Sequence, residues 1–310
     1  MIITRTPMRI TLGGGGTDLP EFYEKHSGFW ISATIDKYIY VAVKDRFEKE
    51  LRIVYSELEN TTGFQDIKHP IIKEIFKRFN IWQNTEFVTF ADLPGGSGLG
   101  ASGAFTVGAI KALNPEWSGK KLAEEAYDIE RNKLKRSVGK QDQYCAVFGG
   151  VRMYEANLSG VIRSTQFVIP ELADKLMLIY TTNIRDSESI LSKVKTSEKQ
   201  LLKIQIIGKN SATAIIQKDW ERLGELMDEH WNIKRTISPD MSSLRINNIY
   251  TKCISLGAYG GKLVGAGSGG FLMLVVPNDD VKKEILRSGI IETQNYVPIK
   301  FTYTGSEVLG

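Results

Sequence analysis

Apolar and polar positions alternate along much of the first half of this chain. That period predicts strands over residues 28–43, 51–55, 86–90 and 149–154. Residues 69–79 repeat apolar positions at helical spacing, and residues 105–113 are apolar on nearly every side with small residues along one flank, which suits a buried helix. A longer helix is expected over 118–136, followed by a loop with a short helix over 139–148. The second half predicts strands at 176–181, 270–276 and 297–303, with helices at 188–217, 220–234, 244–255 and 279–286. Hairpin-like strands mixed with helices argue for an α+β protein rather than a regular doubly wound sheet. A boundary is expected near 160–172, where Ser159-Gly160 and Pro170 bracket an apolar segment, giving units of 1–165 and 166–310.

At 100° per residue, Leu122, Ala123, Ala126, Tyr127, Ile129 and Leu134 fall on one face of the 118–136 helix, and Glu130 projects into the middle of it. An unpaired carboxylate there costs several kcal/mol, so Glu130 requires a cation, a metal or a hydrogen-bond donor; a salt bridge to an arginine is the ordinary solution.

Between the strand at 86–90 and the helix at 105–113 lies Leu93-Pro94-Gly95-Gly96-Ser97-Gly98-Leu99-Gly100-Ala101-Ser102-Gly103-Ala104. Glycines let backbone amides close on an anion, and a helix N-terminus adds a partial positive charge, so this run reads as a phosphate cradle with Pro94 stiffening its entry. Gly95 and Gly100 have Walker A spacing, but Ala101 stands where that motif needs lysine. Gly98, Gly100 and Gly103 spell a dinucleotide fingerprint, yet Asn114-Pro115 and a second helix follow instead of the required strand. Residues 265–270 match the same fingerprint, a measure of how weak it is alone.

Composition narrows the class further. The 310 residues are 42% hydrophobic and 25% charged, as in a globular protein, and a net charge of +4 spread over amphipathic stretches leaves no nucleic-acid footprint. No apolar run approaches the roughly 20 residues that span a bilayer, and the first residues lack a signal-peptide pattern. Cys145 and Cys253 are too few for a disulfide framework or a zinc site, which points to reducing cytoplasm. His26, His69 and His230 are too dispersed to form a metal or acid–base set.

The pattern Pro-x-x-x-Gly-Leu-Gly-x-Ser-Gly-Ala at 94–104 resembles the phosphate loop of the GHMP kinases. Two further segments fit that family in order: Pro7-Met8-Arg9-Ile10-Thr11-Leu12-Gly13-Gly14-Gly15-Gly16-Thr17-Asp18, and the stretch from Gly261 to Phe271. The resemblance covers most of the chain. It implies a two-domain α+β architecture with the active site in the cleft, and ATP and Mg²⁺ as co-substrate and metal. By the same resemblance, residues 94–103 (Pro94, Gly95, Gly96, Ser97, Gly98, Leu99, Gly100, Ala101, Ser102, Gly103) bind the nucleotide phosphates, and Ser102 with Glu130 holds the metal. Asp142, in Gly139-Lys140-Gln141-Asp142-Gln143, orients the acceptor hydroxyl or takes its proton, and Lys140 is expected to keep that carboxylate ionised. A solvated aspartate capping the short helix is the plain alternative.

Arg9, Gly14, Gly15, Gly16, Thr17 and Asp18 match the family's sugar-binding segment, except that Gly15 and Gly16 stand where galactokinases carry glutamate and histidine. That change removes hydroxyl partners and opens volume for a bulkier sugar. With the 139–143 segment it is similar to the branch acting on D-glycero-D-manno-heptose 7-phosphate, feeding surface-polysaccharide synthesis. Such a substrate carries a remote dianion, for which Lys140 and Arg185 are the candidate cations. Gly267 and Ser268 are expected to bring a second-domain loop to the substrate. Phosphorylation of the anomeric hydroxyl by direct transfer, in a monomer or homodimer, is the reading that follows. A kinase for L-fucose or a related deoxysugar, and a non-catalytic sugar sensor, remain open.

Overall fold

The computed structural model describes residues 1–182, 196–238, 241–265 and 269–309. Two sheets organise it. The first contains β1 (Ile2–Gly13), β2 (Gly28–Asp45), β3 (Leu51–Val54), β4 (Leu58–Thr61), β5 (Thr85–Ala91), β6 (Val151–Ala156), β7 (Ile162–Phe167) and β12 (Glu307–Val308). Its main path runs β12-β1-β2-β5-β3-β4, with β6 on another stretch of β2 and β7 outside β6. Among the described residues only the β3–β5 pair is parallel. At 18 residues β2 is long enough to serve three neighbours: β1, β5 through residues 39–45, and β6 through residues 28–33. The second sheet has the order β11 (Tyr296–Val297), β8 (Leu176–Tyr180), β10 (Phe271–Val275), β9 (Gly260–Leu263).

The helices are α1 (Pro20–His26), α2 (Pro70–Arg78), α3 (Ala101–Leu113), α4 (Gly119–Tyr127), α5 (Gln141–Phe148), α6 (Glu171–Asp174), α7 (Glu198–Gln217), α8 (Trp220–Arg235), α9 (Leu244–Ser255) and α10 (Asp279–Arg287). The α3 helix is buried nearly all round, as its uniform apolarity requires, and its small flank meets β1, where the Thr4 hydroxyl donates to the Gly108 carbonyl at 2.9 Å. Helix α7 crosses the first sheet at a glycine contact. A Cβ on Gly208 would stand 2.7 Å from the Gly14 Cα, so side chains at this crossing would hold the two backbones apart.

Most sequence-predicted elements are present, and three differ. The expected single helix over 118–136 is α-helical only through Tyr127 and turns π-helical over Asp128–Lys133. An expected strand over 297–303 is limited to Tyr296–Val297, because Pro298 lacks the N–H that would continue the ladder; Phe301 then bridges to Ile35 of the first sheet. The N-terminal segment, read as a binding motif, is also the strand β1. Residues 188–195 of the predicted 188–217 helix lie outside the described residues.

Candidate active site

Strand β1 delivers Arg9 at an irregularity. The β1–β2 register shifts between Pro7 and Arg9 and again between Thr11 and Gly13, and such slips re-aim side chains. Arg9 is buried. Its Nε and Nη2 donate to the same Asp142 oxygen at 2.8 and 2.6 Å, its Nη1 donates to the Gly98 carbonyl at 2.5 Å, and its backbone N–H donates to the Leu99 carbonyl at 2.9 Å. One guanidinium therefore joins the candidate catalytic carboxylate to the phosphate loop. Asp142 sits in the first turn of α5 with its side chain 29% exposed, reachable from the cavity.

The glycine loop enters α3 through Gly100, whose φ of 74° lies in the left-handed region. Gly103, one turn further, faces α5: a Cβ there would fall 2.6 Å from the Asp142 Cβ. Its missing side chain lets Asp142 approach the helix N-terminus. Gly98, with φ +81°, has no room for a Cβ because the Val264 carbonyl oxygen would lie 2.4 Å away. Leu99 is buried, and Gly95 and Gly96 are exposed at the loop's tip.

Ser102 and Glu130 meet as expected: the Ser102 hydroxyl donates to Glu130 Oε2 at 2.5 Å. Glu130 is fully buried at the start of the π-helical turn, and burial pushes its carboxyl above the usual range, opposed by Ser102, Gln143 and Arg136. Gln143 Nε2 donates to Glu130 Oε1 at 2.9 Å, and Arg136 Nη1 lies 3.6 Å from Glu130 Oε2 and 3.0 Å from the Ser102 hydroxyl. Glu130 is thus shared between an arginine and a phosphate-loop hydroxyl.

These residues fit a hard divalent ion. A carboxylate and a hydroxyl converge, and the buried Gln143 Oε1 beside them has no hydrogen-bond partner. No group of three or more His, Cys, Asp or Glu able to hold a metal occurs among the described residues, so the remaining ligands would come from phosphate and water.

The structure reassigns several residues of the expected sugar site. Thr17 is fully buried; its hydroxyl donates toward the Gly14 and Phe29 carbonyls at 2.8 and 2.6 Å and accepts from the Phe29 N–H at 3.0 Å, so it locks the turn and offers nothing to a sugar. Gly14, φ +76°, is pressed on the Phe29 carbonyl rather than on the cavity. Lys140 does not stand beside Asp142: its ammonium donates to both Glu124 oxygens at 2.8 and 2.9 Å and to the Gly160 carbonyl at 3.0 Å. The cation that screens Asp142 is Arg9. Gly15, Gly16 and Asp18 do line the cavity. Asp18 accepts from the Gly16 and Gln141 N–H groups at 3.0 Å each, and burial beside Asp142 raises its pKa. Arg185, Gly267 and Ser268 lie outside the described residues.

The cavity, about 610 Å³, also contains groups that the sequence reading did not select: Thr11, Gln141, Arg131, His230, Lys234 and Lys262. Gln141 Nε2 donates to the Thr11 hydroxyl. His230 and Lys234 are one turn apart on α8, a spacing that could have marked them, whereas Lys262 sits in the fully buried Gly-Gly-Lys-Leu of β9 with no local signal. Cys145 and Cys253 are buried thiols that burial pushes up to about 12, consistent with packing roles.

The model for the GHMP kinases N terminal domain matches residues 50–150, and that for the GHMP kinases C terminal matches residues 211–289. A D-glycero-alpha-D-manno-heptose 7-phosphate kinase of Campylobacter jejuni is 33% identical, over 98% of this chain and 96% of its own length. A bifunctional fucokinase/GDP-fucose pyrophosphorylase of Arabidopsis thaliana is 22% identical over 90% of this chain, which spans 30% of that protein. Among solved structures, a D-glycero-D-manno-heptose 1-phosphate kinase from Bacteroides thetaiotaomicron superimposes with a TM-score of 0.81 at 22% identity, covering 100% of this chain and 99% of the other.

Proposed function

This chain belongs to the GHMP kinase family and is a phosphotransferase with an alcohol group as acceptor, and from that premise we propose that it moves the γ-phosphoryl group of ATP to the anomeric hydroxyl of D-glycero-D-manno-heptose 7-phosphate. The observation that carries this reading is Asp142, held by Arg9 at the cavity wall and packed against the start of α3 through Gly103. The identity to the heptose 7-phosphate kinase over nearly the whole of both chains favours that sugar.

In the proposed reaction the nucleotide phosphates lie along the amides of residues 95–103 and the N-terminus of α3. Asp142 accepts a hydrogen bond from the acceptor hydroxyl and takes its proton as that oxygen adds to the γ-phosphorus and the bond to the β-phosphate oxygen breaks. Arg9 pairs with Asp142 and fixes its orientation relative to the loop. Asp18, Gly15 and Gly16 border the sugar. Mg²⁺, held by Ser102 and Glu130, would neutralise charge on the phosphate oxygens. Residues 1–165 and 166–310 form the two halves around the cleft, and the product, heptose 1,7-bisphosphate, serves nucleotide-activated heptose and surface-polysaccharide synthesis in the cytoplasm. No described helix is long and apolar enough to cross a membrane.

A direct test measures ADP release with ATP and Mg²⁺ against heptose 7-phosphate, L-fucose and galactose. Preference for heptose 7-phosphate is expected. Preference for fucose would move the assignment to the deoxysugar branch, and tight ATP binding without turnover of any sugar would make the protein a sensor.

A further inference from the structure

Lys262 is a buried cation and Lys234 a half-buried one, and neither has a carboxylate within ion-pair distance among the described residues, Asp18 acting on Lys234 only from further off. Lys262, 2% exposed, has one hydrogen-bond partner, His230 Nδ1 at 3.4 Å; Lys234 donates to the Gly265 carbonyl at 2.6 Å and has donor capacity left over. Neither forms an ion pair with a described carboxylate, and Arg9 adds a third positive charge nearby. Burying cations without a counter-ion is costly, and natural proteins tolerate it mainly where a ligand supplies the charge. Burial lowers both lysines, helped by Arg9 at Lys234, where Asp18 opposes it and the value falls to about 8, and by Lys234 and Arg9 at Lys262. His230 shows the same unfinished bonding. With Nδ1 turned to the Lys262 ammonium, its ring proton falls on Nε2, which is buried without a partner.

We propose that Lys234, Lys262 and the His230 ring form the seat for a phosphate dianion carried by the acceptor sugar. The inference rests on the heptose phosphate reading and replaces Lys140, which is bonded to Glu124, as its phosphate anchor. Position decides which phosphate is meant. All three groups line the cavity with Thr11, Gly15, Gly16 and Asp18, and no residue of 94–103 lines it. The nucleotide phosphates have their own set in the loop amides, the start of α3, Ser102 and the nearby Arg136. The seat would disfavour unphosphorylated sugars, which leave the desolvated Lys262 uncompensated.

The test uses the whole chain and three readouts. Lys262→Met and Lys234→Gln should each lower the ratio of kcat/KM for heptose 7-phosphate to that for the dephosphorylated heptose by about 10- to 100-fold, the loss of one charge-assisted contact. The KM for ATP should stay within about twofold, because the lysines lie outside the nucleotide loop. Inorganic phosphate, added without nucleotide, should raise the melting temperature of the wild type more than that of either variant. An unchanged sugar ratio with lower kcat for both sugars would assign the lysines to the transferred phosphoryl group and overturn the proposal. A phosphate-induced shift equal in all three proteins would overturn it as well. Should the wild type prefer a different sugar phosphate while the variants still lose the phosphate shift, the seat stands and the heptose assignment falls.

Discussion

The nucleotide loop meets the candidate catalytic residue at Gly103, and Gly103→Ala puts a number on that contact. A Cβ there would lie 2.6 Å from the Asp142 Cβ and 3.2 Å from the Asp142 carbonyl carbon, against at least 3.4 Å for an ordinary contact. The start of α5 must therefore retreat by about 0.8 Å, and displacements near 1 Å at a reacting group cost on the order of 100-fold in rate. Stability should suffer less. Overpacking costs about 1–3 kcal/mol, and alanine recovers about 1 kcal/mol of helix propensity over glycine. The assay is steady-state kinetics with both substrates varied, alongside a thermal melt. The expected outcome is kcat reduced about 100-fold, KM for ATP changed only a few-fold, and a folded protein. A kcat within about threefold of wild type would refute the claim that this contact positions Asp142.

Asp142→Asn should lower kcat by about 10²- to 10⁴-fold with ATP affinity nearly intact; persistence of activity removes its role as base and leaves it an orienting group. Glu130→Gln should raise the Mg²⁺ concentration needed for half-maximal rate, whereas an unchanged requirement with a lower melting temperature would reduce Glu130 to its contact with Arg136. Lys140→Met should destabilise the fold by about 1–3 kcal/mol through loss of the buried ammonium's bonds to Glu124 and the Gly160 carbonyl while changing kcat only a few-fold; a loss of kcat without a loss of stability would restore the catalytic expectation. Lys234 titrates near 8 when folded and near 10.5 when unfolded, so the unfolded chain binds the extra proton between those values. Stability of the free protein should then rise with pH from about 8 to 10.5, with a constant penalty below that window. Binding a phosphorylated sugar at pH 8 to 9 should take up protons, measurable by calorimetry in two buffers of different ionisation enthalpy; no uptake would contradict an anion bound at Lys234.

The parts of the site that were legible are those whose signal is local. Glycines 95–103 between a strand and a helix announce a phosphate cradle in any fold, and Glu130 among apolar positions announces a buried carboxylate needing a partner. What could not be read depends on contacts between distant segments. Lys140 is two residues from Asp142, but its ammonium is drawn to Glu124 on α4 and Gly160 beyond β6, while Arg9, 133 residues away, takes the place beside Asp142. Thr17 looks like a sugar ligand until β2 arrives and captures its hydroxyl. The π-helical turn at Asp128 adds no distinctive residue type, so a 100° period cannot register it. Lys262 shows no alternation because both faces of β9 are covered.

Gly98 and Gly265 both have φ of +81°, and the two loops leave no room for a side chain at either: a Cβ on Gly265 would fall 2.6 Å from the Gly98 Cα, and one on Gly98 would fall 2.4 Å from the Val264 carbonyl oxygen. Gly270 meets the Ser97 carbonyl oxygen in the same way, at 2.2 Å. The nucleotide loop and the segment that follows the strand carrying Lys262 therefore share one wall made of bare backbone. Neither loop can be exchanged alone: grafting a bulkier phosphate loop from another kinase onto this scaffold would jam the acceptor side, and re-engineering the acceptor side through β9 would disturb the donor. Changes in donor and acceptor preference are tied together at this wall, and recombination between relatives is best made with residues 94–103 and 260–270 inherited as one block.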